Sequence, residues 1–366
     1  MSEHLRKILS SIQRQRLAGL LISLTLLFVA CRSGAEEVLR TSPVTQTPLP
    51  SSTQPPKVLA FVTRTSDKYL LSLVHTDGSG LVTLTPPMGV ILDPVWSPDG
   101  QQIAFWACEE GSGGECSSGM DIFIVRADGT VLTNVTKDTA LDSEPSWSPD
   151  GKRLAFVSDR SGNPEVFVAN RDGSGVIQLT HTVASEGAPQ WSPDGRKIAF
   201  HRTYYSNSGF TTEVWLSDAD GTGAVRLAGG VRPRWSPDGT LIAFGCSADS
   251  YRGICVMQAD GTLFRKLSGG LADEFNYAWS PDSTQIAYVT NRDSNAEVYL
   301  SYIDGNIKPN PVNLTLDPAN DQAPVWSPDG SKIAYSSNGF LSVMNADGSG
   351  KVTLPFTIQG PPAWQP

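Results

Sequence analysis

Acidic residues recur at one fixed position in this sequence, five residues before a repeated tryptophan, and further carboxylates lie close by. The residues concerned are Asp142, Glu186, Glu274 and Asp321, joined by Asp93, Glu144 and Asp273. Carboxylates that converge can hold a metal ion, a basic peptide or a sugar. The alternative is that these side chains cap backbone amides at turns and are solvated. We expect Glu186→Ala to cost almost no stability; a large loss would show that the acidic residues are structural rather than ligand-binding.

Two further groups of side chains could bind a ligand. Arg232 and Arg234 interrupt the acidic pattern and can either pair with neighbouring carboxylates or hold an anionic group. The segment 201–212 carries Tyr204, Tyr205 and Phe210. Exposed aromatic side chains contact a partner at low entropic cost, whereas in the alternative they pack beneath their own loop.

The sequence offers little support for an enzyme. It contains no Gly-x-Ser-x-Gly motif before a helix-forming segment, and its histidines, apart from His4, stand in different repeats as His75, His181 and His201. A three-histidine metal site is therefore not expected, and we predict no catalytic residue, no metal site and no cofactor, although a cation in a central channel is compatible with the acidic residues.

A repeated sequence motif indicates how these residues are positioned. Trp-Ser-Pro-Asp-Gly or a close variant, followed by Ile-Ala-Phe or a close variant, recurs at intervals of about 40 to 50 residues, as expected for four-stranded propeller blades. The tryptophans are Trp96, Trp147, Trp191, Trp235, Trp279, Trp326 and Trp364, the last without the rest of the phrase. Proline presets φ and glycine accepts a positive φ, so we read each Ser-Pro-Asp-Gly as a tight turn in which the aspartate is structural rather than catalytic.

The two ends of the repeat region complete the count of blades. Lys57–Phe61, Leu70–Val74 and Leu81–Thr85 supply three strands with no Trp strand before them, and Pro361–Trp364 supplies the missing one. The predicted fold is all-β: a seven-bladed propeller of four-stranded blades, closed by N- and C-terminal strands that share one blade. The connections opposite the uniform turns vary in length and residues, and binding usually occurs on such loops.

These repeats resemble the TolB-like, or WD-like, propeller family. The resemblance is carried by Trp-Ser-Pro-Asp-Gly and Ile-Ala-Phe at 191–200 and by Asp-Gly-Ser-Gly at 172–175, and it extends over 57–366. It implies the fold, while related propellers serve as binding platforms, as gating domains of peptidases and as carbohydrate-active enzymes. The family's namesake resembles a six-bladed propeller behind an α/β domain, whereas this chain has seven units.

The N-terminal residues read as a targeting segment. Residues 1–31 combine a basic start with an apolar stretch that ends in Phe-Val-Ala-Cys, which resembles a lipoprotein signal peptide with Cys31 as the lipidated residue. Ordinary signal cleavage near Ala30 and an uncleaved anchor are the alternatives. Residues 32–56 are rich in Pro, Ser and Thr and form a predicted spacer. The propeller occupies 57–366.

The remaining cysteines and the net charge agree with export. Two local pairs, Cys108 with Cys116 and Cys246 with Cys255, are predicted disulfides, and a shared zinc site is the alternative. The formal net charge of −9 argues against nucleic acid and anionic lipid as partners.

The predicted function is a binding or scaffolding module of the cell envelope. We expect it to be monomeric, anchored to the membrane only through lipid, facing the periplasm or the exterior, and to hold a protein or glycan on the varied face. The alternative is a metal- or carboxylate-dependent enzyme that acts on a polysaccharide or lactone in the channel.

Overall fold

The computed structural model describes residues 57–66, 68–108, 119–207, 209–248, 251–267, 274–303 and 311–366. These residues form 28 β-strands and no helix, and the strands pair into seven four-stranded antiparallel sheets. The predicted seven-bladed all-β propeller is confirmed.

Each blade is numbered by its tryptophan, and the strands are numbered in chain order. Blade 7 begins with β1 (Val58–Thr65), β2 (Lys68–His75) and β3 (Val82–Thr83). Blade 1 comprises β4 (Val90–Trp96), β5 (Gln102–Cys108), β6 (Asp121–Arg126) and β7 (Leu132–Asn134). Blade 2 comprises β8 (Asp142–Trp147), β9 (Arg153–Ser158), β10 (Glu165–Asn170) and β11 (Ile177–Gln178). Blade 3 comprises β12 (Ser185–Trp191), β13 (Lys197–Ser206), β14 (Gly209–Asp218) and β15 (Val225–Gly229).

The other blades repeat this order. Blade 4 comprises β16 (Val231–Trp235), β17 (Leu241–Ala248), β18 (Tyr251–Gln258) and β19 (Arg265–Lys266). Blade 5 comprises β20 (Glu274–Trp279), β21 (Gln285–Thr290), β22 (Glu297–Tyr302) and β23 (Val312–Asn313). Blade 6 comprises β24 (Asp321–Trp326), β25 (Lys332–Ser337), β26 (Phe340–Asn345) and β27 (Val352–Thr357). Blade 7 is completed by β28 (Ala363–Trp364).

The ring closes where the sequence predicts. Strand β28 pairs with β1 through Leu59 opposite Trp364 and Ala60 opposite Ala363. Trp96 of blade 1 then donates its indole Nε1–H to the carbonyl oxygen of Ala363 across 3.0 Å. Both ends of the repeat region therefore share one blade, which removes the open sheet edges that an unclosed array would leave.

The Ser-Pro-Asp-Gly segments are tight turns, and blade 2 shows the arrangement. Ser148 donates its hydroxyl to Asp150 Oδ1 at 2.6 Å, and Asp150 Oδ1 accepts the backbone N–H of Lys152 at 3.1 Å. These hydrogen bonds lower the pKa of Asp150. Gly151 takes the required positive φ of 66°. The same Ser–Asp hydrogen bond recurs at Asp99, Asp194, Asp238, Asp282 and Asp329, so these aspartates have the structural role that the sequence indicates.

Tryptophan strands lie innermost, where those of successive blades contact one another, for example β4 with β8 and β8 with β12. Trp147 donates its Nε1–H to the carbonyl oxygen of Val95 in the preceding blade at 3.2 Å. Trp279 and Trp364 bond in the same way to Arg234 and Val325. The indole N–H, which can only donate a hydrogen bond, therefore links adjacent blades.

The hydrophobic core lies between the blades. Phe156, from the Ile-Ala-Phe motif of blade 2, is buried in one cluster with Trp106 and Ile124 of blade 1. The equivalent aromatic residues are buried in every blade: Phe61, Phe105, Phe200, Phe244, Tyr288 and Tyr335. Each blade thus buries one sheet face against its neighbour, which explains why the motif recurs.

Candidate functional site

The upper face is the face that carries the connections between the second and third strands of each blade and between successive blades. At this face the innermost strand of blade 2 contains a bulge, because its pairing with β9 shifts between Ser143 and Ser146 and Glu144 takes a φ of 55°. Blades 1, 3, 4, 5 and 6 have the same bulge, with positive φ at Asp93, Ala188, Arg232, Asn276 and Ala323. Such backbone costs about 1 to 3 kcal/mol at a non-glycine residue. We call these six residues the bulge ring.

Asp142 is buried at the junction between blades 1 and 2. Arg160 donates from Nη2 to both carboxylate oxygens of Asp142, at 3.0 and 3.1 Å, and pairs with Asp138 at 2.8 Å. Burial raises the pKa of Asp142, while Ser158, Thr136 and Arg160 oppose that rise. The side chain is 0 % exposed, so it contacts protein rather than solvent.

Glu186 is buried at the junction between blades 2 and 3. Its Oε1 accepts the Nε–H of Arg202 at 2.7 Å and the hydroxyl of Thr182 at 3.0 Å. Burial, a hydrogen bond with Glu165 and the charge of Glu165 raise the pKa of Glu186 to about 8, against the opposing effect of Arg202. Glu186 therefore retains its proton in most molecules at neutral pH.

Asp321 is buried at the junction between blades 5 and 6, and it differs from the other two. Both of its carboxylate oxygens are shielded from solvent, and no cation of the described residues forms an ion pair with them. Burial raises the pKa of Asp321 to about 6, with Asp317 and Glu297 adding to the rise and Ser337 and Thr315 opposing it. At neutral pH the ionised form of Asp321 still dominates.

The other predicted acidic residues differ in their surroundings. Glu144 accepts the backbone N–H of Ala188, in the next blade, at 2.7 Å, and Asp93 accepts the indole N–H of Trp106 at 3.0 Å. Glu274 begins β20, but its side chain and all of Asp273 lie outside the described residues. Acidic side chains therefore do stand at corresponding places around the upper face, but Asp142, Glu186 and Asp321 are buried at blade junctions.

Arg232 and Arg234 are exposed on the innermost strand of blade 4. Arg234 lies over the ring of Tyr277 at 5.9 Å. Close to Arg232 and Glu144 lies His201, which is partly exposed but has a buried Nδ1 without a hydrogen-bond partner in the described part of the chain. Burial lowers the pKa of His201 to about 4; Glu144 acts against this effect and Arg232 adds to it. The imidazole is therefore neutral at physiological pH.

The aromatic segment of blade 3 is a long hairpin. Strands β13 and β14 pair as far as Ser206 with Gly209, so that Tyr205 lies directly opposite Phe210. Tyr205 is 66 % exposed, Phe210 60 % and Tyr204 39 %. Because these side chains are exposed, they do not pack beneath their own loop, which was the alternative.

One group of three carboxylates could accommodate a metal ion in the described part of the chain: Asp121, Asp138 and Asp142, whose oxygens lie within 4.8 Å of one another. Arg160 already pairs with two of them. His75, His181 and His201 do not form such a group.

The sequence did not reveal the role of Arg160 and Arg202. Arg160 lies in the connection 158–163 and pairs with Asp138 and Asp142, both outside that connection. The available signal was a basic residue within four positions after the motif aromatic, Phe156 or Phe200. Each guanidinium pairs with the carboxyl group that lies five residues before the tryptophan of its own blade.

The cysteines behave partly as predicted within the described residues. Cys246 and Cys255 form a disulfide, and Cys108 is also disulfide-bonded, while its predicted partner Cys116 lies outside those residues. The predicted signal peptide, Cys31 and the spacer lie outside them too. In the part that the structure does describe, no helix is long and apolar enough to cross a membrane.

Fold and site together define a seven-bladed propeller with a variable upper face. The family description "TolB beta propeller domain" matches residues 113–228 and 226–366, which is more than half of the sequence. This chain belongs to the TolB β-propeller domain family.

Individual relatives agree with this assignment. The chain is 32 % identical over 155 residues to a "Protein TolB homolog" of Chlorobium luteolum, a match that covers 38 % of this chain and 33 % of the relative. It is 30 % identical over 145 residues to a "Tol-Pal system protein TolB" of Bordetella pertussis, which covers 29 % and 33 %. The matches thus span about a third of the length of these relatives.

Solved structures share the fold. TolB from Acinetobacter baumannii has a TM-score of 0.55 at 21 % identity, covering 85 % of this chain and 83 % of that one. An oligogalacturonate lyase in complex with manganese has a TM-score of 0.58 at 16 % identity, covering 81 % and 85 %. At these identities the likeness concerns the fold alone.

Proposed function

We propose that this protein is a binding module of the cell envelope that holds a protein partner on the upper face of blades 3 and 4. The observation that supports this most directly is the cross-strand pair of Tyr205 and Phe210, both more than half exposed at the tip of a two-stranded hairpin. Large aromatic side chains on a paired backbone provide contact area, and they lose little conformational entropy on binding.

The neighbouring blade adds charge to this surface. Arg232 and Arg234 are exposed on β16, and β16 contacts both β12 and β13 of blade 3. Guanidinium groups bind carboxylates with directional hydrogen bonds. The partner that fits best is a protein segment that carries both apolar side chains and carboxylates.

The predicted ring of carboxylates has a smaller part in this proposal. Asp142 and Glu186 are buried and paired with Arg160 and Arg202. They are therefore better suited to hold blades together than to bind a basic ligand or act on a sugar. We propose a binding protein rather than an enzyme.

The proposed site is tested by photocrosslinking in the native host. A photoreactive residue is placed at Tyr205 and, as a matched control on the opposite face, at Ser174 in the turn after β10. We expect a discrete protein adduct from position 205 that is lost when Arg232→Ala and Arg234→Ala are added. Identical adducts from both positions would contradict the proposal.

Direct titration distinguishes a glycan partner from the proposed protein partner. Oligogalacturonate and peptidoglycan fragments are added to the purified full chain, and heat and any cleavage product are measured. We expect neither binding nor cleavage. Binding that is abolished by Arg232→Ala would assign the surface to an acidic glycan, and cleavage would support the enzyme alternative.

Location in the envelope is part of the proposal. The Cys246–Cys255 disulfide supports an oxidising compartment, and the names of the relatives refer to the Tol-Pal system. Radiolabelled fatty acid should label the wild-type protein but not Cys31→Ser. Label retained in Cys31→Ser, or absent from both, would exclude lipidation at this residue.

A further inference from the structure

The innermost strands expose the same two positions in almost every blade. These positions lie one and three residues before the tryptophan, while the residue between them is buried in all seven blades. Because the innermost strands surround the central channel, side chains that are exposed at these two positions face the channel. In blade 4 both positions are arginines, Arg232 and Arg234.

No other blade has a basic residue at either position. Three residues before the tryptophan, blades 1 and 2 carry Asp93 and Glu144, and both carboxylates accept hydrogen bonds from protein groups. Neither Arg232 nor Arg234 forms an ion pair with a carboxylate of the described residues. Directly before the tryptophan, the other blades carry only neutral residues, namely Val95, Ser146, Gln190, Ala278, Val325 and Ala363.

Blade 5 departs from the repeat at the residue that contacts these arginines. Two residues before the tryptophan, the other six blades have a buried proline, whereas blade 5 has Tyr277. Arg234 lies over the ring of Tyr277 at 5.9 Å, and the hydroxyl of Tyr277 donates to the carbonyl oxygen of Arg232. Burial raises the pKa of Tyr277, so the hydroxyl stays protonated and remains a donor. One tyrosine therefore contacts both arginines.

These three residues are not required by the propeller fold, because the other blades form four-stranded sheets without equivalents of them. Side chains that depart from a repeat and contact one another are typical of functional sites. At the same two levels of the channel, the blades on either side carry small or uncharged side chains, namely Ala188, Gln190, Asn276 and Ala278. No carboxylate at these neighbouring positions therefore competes with a ligand for the guanidinium groups.

We propose that Arg232 and Arg234 bind a phosphate group in the channel and that Tyr277 is a positioning residue for both. Guanidinium groups form charge-assisted, paired hydrogen bonds with phosphate oxygens. A phosphate group carries about 1.5 to 2 negative charges and three acceptor oxygens, so it matches two guanidinium groups better than one carboxylate does. Phosphate would compete with the acidic side chains of the partner proposed above. That consequence rests on the proposed function, whereas phosphate binding does not.

The test is calorimetry of the purified full-length chain with inorganic phosphate, in a buffer of low ionic strength without other oxyanions. We expect one phosphate per chain with a Kd of about 1 mM or tighter. Arg232→Ala and Arg234→Ala should each weaken binding about tenfold. Arg196→Ala, which removes an exposed arginine from a turn on the opposite face, should bind phosphate as the wild type does.

Two variants of Tyr277 separate positioning from folding. Tyr277→Pro restores the residue of the other blades and should weaken phosphate binding as much as loss of one arginine. Tyr277→Phe keeps the ring beneath Arg234 and removes only the hydroxyl, so it should weaken binding less. Melting temperatures without phosphate establish that each variant is folded. Unchanged affinity in folded Tyr277→Pro would overturn the positioning role.

A phosphate ester is distinguished from free phosphate by titrating glycerol phosphate in parallel. Tighter binding of glycerol phosphate would assign the site to an ester, and tighter binding of inorganic phosphate would assign it to the free ion. The proposal is overturned if the wild type binds neither compound at several millimolar, or if either arginine variant binds them unchanged. Because no partner protein is present, this result is independent of the crosslinking at Tyr205.

Discussion

Arg202 donates its Nε–H to Oε1 of Glu186 across 2.7 Å, and both side chains are almost excluded from solvent. The guanidinium also lies 4.1 Å from the ring centroid of Trp215. This pair gives Glu186 a structural role, because it orders the upper end of blade 3 rather than serving as an open ligand.

Glu186→Ala should therefore destabilise the fold, contrary to the small effect expected of a solvated carboxylate. Removing the carboxylate leaves Arg202 buried without its acceptor, and we expect a loss of about 2 to 4 kcal/mol in the free energy of unfolding. Glu186→Gln keeps an acceptor for Arg202 and should lose much less. Urea denaturation of both variants measures the difference, and equal stability of Glu186→Ala and wild type would refute the structural role.

The Glu165–Glu186 pair should make stability fall as pH rises. The pKa of Glu186 is about 8 in the folded state and near 4.5 when unfolded, so between these values the folded state binds more protons. This contribution is fully present below about pH 4.5 and is lost as pH rises through 8. Melting temperatures from pH 5 to 9 should decline more steeply for the wild type than for Glu186→Gln. Parallel profiles would show that the pKa of Glu186 is not raised in the folded state.

Substitution of the tryptophans should separate packing from hydrogen bonding. Trp191 is buried, and Trp191→Ala should cost about 3 to 5 kcal/mol. Trp147 donates to Val95, whereas the Nε1 of Trp191 finds no acceptor in the described residues. Trp147→Phe should thus cost about 1 kcal/mol more than Trp191→Phe, measured by chemical denaturation. If the order is reversed, the inter-blade hydrogen bond contributes nothing measurable.

The Cys246–Cys255 disulfide should contribute modestly to stability. It closes a short loop, with a sequence separation of 9, for which chain entropy predicts about 2 to 3 kcal/mol. The double variant Cys246→Ser, Cys255→Ser should unfold at lower denaturant concentration, and a reducing agent should produce a smaller shift in this variant than in the wild type. Identical midpoints for the variant and the wild type would contradict this.

Much of the fold could be predicted because its turns and strands are determined by short repeated motifs. The Ser-Pro-Asp-Gly turn needs only residues within five positions, as the bonds of Ser148 with Asp150 and Arg153 show. Strand order and closure followed from counting such units.

The candidate site was harder to predict because it depends on contacts between blades. Whether the carboxylate of Asp142 is open or buried depends on Arg160, which stands 18 residues away on another connection. The bulge that turns Glu144 toward Ala188 is also not visible in a pattern of alternating residues. Only the exposure of the aromatic hairpin, a local property of two long strands, followed the functional interpretation of the sequence.

The pairing of Leu59 with Trp364 also bears on how the ring assembles. Blades 1 to 6 are built from hairpins that join near neighbours in sequence, so they can form early and independently. Blade 7 lacks its inner strand until the other six have brought Ala363 and Trp364 back to β1, and closing so large a loop is entropically costly. We therefore expect the closure of blade 7 to be a late step in folding. A destabilising substitution in any one blade should delay closure of the whole propeller.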